Sequence, residues 1–229
     1  MRMNLPKQNN YDTAYSRAAE QLRRLDVREV CKRCGLTESP GGLLVPYLGG
    51  QCEVALPDVR FDPDELPLME KILVLHYLIG TGGPDGTAGT HEDGVRAPGA
   101  GPAEGGAARE YVSYKNLPGA AFYYQPYRKR GTARILKTFG NRPRDVVEAS
   151  SVLGGVEHDM GDVSVRFRVF PMIDAVLVLY RGDDEFPPEA EILYRHDVAW
   201  YLSLEDVAVV SGILASRLIK RRAVPSKDL

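Results

Sequence analysis

The sequence predicts a single α+β domain, a mainly antiparallel sheet of short strands packed by N-terminal, central and C-terminal helices. Three observations lead there. Apolar residues recur at helical spacing near both ends of the chain, and a nearly all-apolar run of helix length, Leu68 to Ile79, lies between them. Strict alternation marks Val163, Val165, Phe167 and Val169, and the apolar run AVLVLY follows after a short link. A link that short argues for an antiparallel pair. With 229 residues, 44% of them hydrophobic and 26% charged, one core of ordinary size is expected over residues 10–222.

The elements follow in order. Tyr15, Ala18, Ala19, Leu22 and Leu25 share a helical face, so a helix is expected from Tyr11 to Gly35, broken near Leu25–Asp26. Asp26 is placed to cap a second short helix and Gly35 to stop it. GGLLVPYLGGQCEVAL reads as two strands around Gly49–Gly50, and Pro46 assigns the first to an edge. His76, inside the apolar central helix, is expected as a hydrogen-bonded core residue. Residues 80–108 are rich in Gly, Ala and Pro and are expected to form a flexible insertion, because such a composition buries too little surface to offset ordering. Helices are expected at Thr132–Phe139 and Arg144–Leu153. After the strand pair comes the acidic turn RGDDEFPPEAEILY, in which a carboxylate is expected to cap a helix begun by Pro187 or Pro188. A turn or short helix over His196–Leu202 leads to the last helix, opened by Ser203 and Asp206 in capping-box form and carrying the stripe Leu204, Val207, Val210, Leu214 and Leu218.

The formal charge of −2 favours neither nucleic acid nor an anionic membrane as partner. No apolar run is long enough for a bilayer, and three cysteines make no disulfide framework, so a cytoplasmic setting is expected. No nucleophile-elbow, zinc-protease, phosphate-loop or dinucleotide motif is present.

Three groups of residues have chemistry in reach. Cys31 and Cys34 in VCKRCG, with Cys52, have the first knuckle and the spacer of a zinc site, but Ala55 stands where the fourth cysteine belongs. Val27, Val30, Cys31 and Cys34 also lie on one helical face, the pattern of buried structural thiols. Metal ligation and burial both stay open at this point. Asp183, Asp184 and Glu185 in the acidic turn have the oxygens for a hard cation or for acid–base work. Tyr124 and Arg128, in a segment that mixes tyrosines with cations, have the residue types that suit a nucleic acid or nucleotide, but the near-neutral net charge favours a helix with buried tyrosines and a solvated basic face.

GDVSVRFRVFP, RGDDEFPPEAEILY and YLSLEDVAVVSGILASRL together resemble a domain family of unknown function found mainly in anaerobic bacteria and archaea. The matching positions are Asp162, Phe170, Pro171, Gly182, Asp183, Glu185, Phe186, Pro187, Tyr201, Leu202, Glu205 and Asp206. Some members of that family look fused to a four-cysteine iron–sulfur module like that of corrinoid iron–sulfur proteins, a module this chain lacks. The resemblance implies a setting in anaerobic one-carbon or corrinoid metabolism, and it names no activity or cofactor. The expected function is therefore a cytosolic, non-catalytic accessory or small-molecule-binding domain, with a small molecule or an anaerobic metabolic enzyme as partner. Its site would be lined by Asp162, Asp183, Asp184, Glu185, Tyr124 and Arg128. The alternatives are a metal-dependent enzyme using Asp183–Glu185 and a zinc or iron–sulfur carrier through Cys31, Cys34 and Cys52.

Overall fold

The structure is a computed structural model that describes residues 6–80 and 110–222. The expected insertion lies outside them apart from Gly80. Helices and antiparallel strands make the α+β architecture that the patterning predicts, but the strands form two sheets rather than one.

The N-terminal layer begins with α1 (Pro6–Arg23) and α2 (Val27–Cys34). Asp26 accepts the Arg28 N–H at 2.8 Å and starts α2. Gly35, at φ 62°, ends it by donating its N–H to Cys31 O, a left-handed stop that suits glycine. Four strands follow as a meander, β1 (Thr37–Ser39), β2 (Gly42–Tyr47), β3 (Gly50–Ala55) and β4 (Arg60–Asp62). Pro46 sits in β2, between two partners, yet β1 pairs only as far as Leu44. Pro46 therefore meets no strand on that side, which is the reason its missing N–H is tolerated. α3 (Leu68–Ile79) then packs against α1.

The second sheet has the order β5-β9-β8-β7-β6, with β5 (Tyr111–Ser113), β6 (Val156–His158), β7 (Val163–Phe170), β8 (Ile173–Tyr180) and β9 (Glu189–Arg195). Three short helices, α4 (Tyr124–Arg130), α5 (Thr132–Phe139) and α6 (Asp145–Ser150), pack on the long α7 (Leu204–Arg222). The expected stripe on α7 is buried throughout, and Ser203 Oγ accepts the Asp206 N–H at 3.1 Å as the capping pattern requires.

One expectation is corrected here. Pro187 and Pro188 lead into a strand, not a helix. Ala190, Ile192 and Tyr194 alternate inward along β9, and seven residues do not complete two helical turns over a period-two pattern that pairs along β8.

The two sheets meet at a hairpin. Leu48 (φ 44°) and Gly49 (φ 76°) turn β2 into β3, both left-handed as a two-residue hairpin demands. Leu48 is buried and donates its N–H to Val169 O of β7 at 3.3 Å. A Cβ on Gly49 would stand 2.4 Å from Gly154 N, so the backbones touch where a side chain has no room. Behind this contact, Phe170 stacks between Tyr77 and Tyr47, with ring centroids 4.2 and 5.1 Å away, and these rings join both sheets into one core.

Candidate functional site

The acidic turn between β8 and β9 is built by its own carboxylates. Asp162 Oδ2 accepts the Arg181 N–H at 2.8 Å and fixes the turn's base. Asp183 Oδ1 accepts the N–H groups of Phe186 at 2.7 Å and Glu185 at 2.9 Å, while the Asp183 N–H donates to Phe186 O at 2.9 Å. This is an Asx-type turn. The Phe186 and Glu185 amides hold the Asp183 carboxyl below its usual range, because they stabilise the ionised form. Gly182 completes the turn, since a Cβ there would lie 2.6 Å from Pro188 Cδ and 3.0 Å from Phe186 O.

The turn faces the α5–α6 connection. Between them is an open groove of about 720 Å³, lined by residues 140–145 on one side and by Arg181, Gly182, Asp183, Phe186, Pro187 and Pro188 on the other. Its two acids are both engaged. Asp183 holds backbone amides, and Asp145 Oδ2 lies 3.3 Å from Arg222 Nη2. Arg144 pairs with Glu157 at 3.1 Å, across two largely exposed side chains, a contact that water and salt weaken. Among the described residues, Arg142 and Arg181 have no ion-pair partner. The groove therefore presents guanidinium donors that meet no acceptor among the described residues, beside a phenyl ring, that of Phe186, which is 67% exposed.

Of the residues singled out from sequence, Asp162 and Asp183 belong to this turn, one as its foundation and one in the groove wall. Asp184 and Glu185 stand exposed on it without lining the groove. Tyr124 and Arg128 lie elsewhere. Tyr124 is half-buried beside Tyr127 with centroids 6.1 Å apart, and Arg128 is exposed on α4. Sequence reasoning missed Arg142 and Arg144. The local signal is NRPRD between two helices, and nothing near it in sequence points to a turn some 40 residues on.

The cysteines occupy a closed environment. Cys34 is fully buried, its thiol directed at Tyr77 O at 3.4 Å, and Tyr77 OH returns a 2.7 Å bond to Cys34 O. Burial pushes the Cys34 thiol up to about 11. Cys52 is likewise pushed up to about 11, by burial first and the Glu70 charge second. Cys31 is raised by burial and then by Glu38. A metal-binding sulfur must be a thiolate, and these surroundings favour the thiol. Among the described residues no three His, Cys, Asp or Glu side chains are grouped to hold a metal ion, and all three cysteines are free of disulfides.

His76 is the hydrogen-bonded core residue expected. Its Nδ1 lies 2.7 Å from Asp206 Oδ1, and Ser203 Oγ donates to Asp206 Oδ2 at 2.7 Å. Burial works to lower the His76 pKa, but the hydrogen bond and charge of Asp206, with Glu205 behind it, outweigh burial and raise it. The pair ties α3 to the first turn of α7. Among the described residues, no helix is long and apolar enough to cross a membrane.

A family model described as Domain of unknown function (DUF3786) matches residues 101–217 of the chain. No curated protein matches it, and no solved structure does.

Proposed function

The chain belongs to the DUF3786 family, whose model spans just over half of its 229 residues, and we propose that its domain is a binding module for small anionic molecules. The ligand seats in the groove between residues 140–145 and the Arg181–Pro188 turn. One observation carries this reading. Arg142 and Arg181 line a groove whose own carboxylates are already engaged, so their guanidinium donors meet no ion-pair partner among the described residues and are open to a ligand. Guanidinium forks match phosphate and carboxylate oxygens two at a time. A volume of about 720 Å³ is that of a small-molecule site.

The metal-dependent reading of Asp183, Asp184 and Glu185 has less support, because the Asp183 oxygen facing the turn already accepts two amides. The family resemblance adds a setting, anaerobic one-carbon or corrinoid chemistry, in which such a module acts as an accessory to an enzyme. Thermal unfolding of the full chain with inorganic pyrophosphate at low salt tests the proposal. Pyrophosphate should raise the Tm of the native protein, and Arg142→Ala with Arg181→Ala should abolish that rise. An equal rise in both proteins, or none in the native protein, would refute an anion site in this groove.

A further inference from the structure

The groove pairs its free guanidiniums with an aromatic ring that the fold holds out in solvent, and this pairing names a ligand class. Phe186 is 67% exposed, an arrangement that gives up the burial its ring would otherwise gain. The backbone beneath it is nevertheless held in place. Phe186 N–H and C=O are both bonded to Asp183, Gly182 has no room for a side chain beneath Phe186 O and Pro188, and Asp162 anchors the turn at Arg181. The backbone that carries the ring is thus set by the turn, and the ring itself stands in solvent at the groove wall. Rigid presentation of an aromatic lowers the ordering cost of binding. Pro187 and Pro188, both exposed, line the same groove and add apolar surface without donors or charges.

We infer that the groove takes a molecule in which a flat ring is joined to a phosphoryl group, the class of the nucleoside monophosphates, with Arg142 and Arg181 on the phosphoryl oxygens and Phe186 against the ring. This rests on the anion-site reading above and goes beyond it. A simple anion needs the arginines alone, and neither the exposed ring nor the scaffold around it would be required. Stacking on an aromatic face is tolerant of which base is present, so the inference specifies a flat ring and not a particular base.

Calorimetric titration of the full-length protein with adenosine monophosphate, adenosine and inorganic phosphate tests it. Adenosine monophosphate should bind at least about 10-fold tighter than phosphate, the scale of one base stacked on one aromatic ring. Phe186→Ala should erase that difference while leaving phosphate affinity and the Tm in place, and Phe186→Trp should restore it. If adenosine monophosphate binds no tighter than phosphate, or Phe186→Ala leaves its affinity unchanged, the ring-and-phosphoryl class is wrong. The anion groove would then still stand, provided that phosphate affinity falls in the Arg142→Ala, Arg181→Ala protein. If neither phosphate nor adenosine monophosphate binds, both readings fail together. Adenosine binding as tightly as its monophosphate would also overturn the class, because the arginines would have no part in it.

Discussion

Two regions of this chain have the residue types of a functional site, and the fold treats them in opposite ways. Around Cys31, Cys34 and Cys52 everything closes inward. The thiols are buried, Cys34 and Tyr77 exchange hydrogen bonds, and burial keeps the sulfurs protonated. In the acidic turn Asp183 and Asp162 turn onto backbone amides as well, but Arg142 and Arg181 beside them have no ion-pair partner among the described residues, and an aromatic ring stays out. The difference teaches that a reactive side chain marks a site only where its hydrogen-bonding capacity is left over once the fold has been built. By that measure Asp183 and Asp162 are scaffold, Asp184 and Glu185 lie off the groove, and the arginines beside the turn are the site.

Substitutions should separate the two regions by what they damage. The largest effect belongs to the closed one. Tyr77→Ala removes a fully buried ring stacked on Phe170 and the bond to Cys34 O, and it should cost about 3–5 kcal/mol in urea unfolding. Next is Glu70→Gln. Glu70 is buried and paired with Arg217, which also lies over the Tyr47 ring at 5.3 Å. Removing its charge should cost about 2–3 kcal/mol, less than a fully buried pair because Arg217 is partly exposed. Neither change should alter pyrophosphate binding at temperatures where the protein is folded.

In the open region the order of effects reverses. Arg142→Ala with Arg181→Ala should move stability by less than about 0.5 kcal/mol, since both side chains are exposed, while abolishing the pyrophosphate response. Asp183 distinguishes scaffold from cation ligand. Asp183→Asn keeps the oxygen that accepts the Phe186 and Glu185 amides, so it should bind phosphate more tightly than Asp183→Ala, which loses the turn. A Mg²⁺-induced Tm shift that disappears in Asp183→Asn would support the metal reading instead.

The smallest effect is one of pH. The folded-state pKa of His76 is raised by Asp206 and Glu205 against the opposing effect of burial. A raised pKa means that the native state binds the proton more tightly than the unfolded chain. The stabilisation is therefore complete below the unfolded value of about 6.5 and is lost as pH rises through the folded value. The stability gap between the native protein and His76→Gln, followed by urea unfolding, should be widest near about pH 6 and narrow toward about pH 9. A gap that widens with pH would contradict the His76–Asp206 assignment.

Much of the fold was legible because its signals are local. Asp26 and Gly35 bound α2, Ser203 and Asp206 open α7, and the alternation from Val163 to Val169 gives β7. The strand β9 was hidden by its prolines and glutamates. Pro187, Pro188, Glu189 and Glu191 resemble a helix start, and only pairing with β8 makes the alternation of Ala190, Ile192 and Tyr194 decisive. The three-residue strands at the sheet margins were too short to show any period. Of the candidate site, the turn residues Asp162, Asp183 and Phe186 could be read from the family resemblance, but their role could not, because a carboxylate that binds a ligand and one that binds its own backbone have the same letter. Arg142 and Arg144 become candidates only once the fold sets the α5–α6 connection against the turn.

Amide correlation spectra of ¹⁵N-labelled protein, recorded during titration with inorganic phosphate, test the contrast between the regions directly. The account predicts saturable shifts at Asn141, Arg142, Arg181 and Gly182, with Cys31, Cys34 and Cys52 unmoved. Shifts centred on the cysteines, or none at residues 140–145 and 181–186, would contradict it.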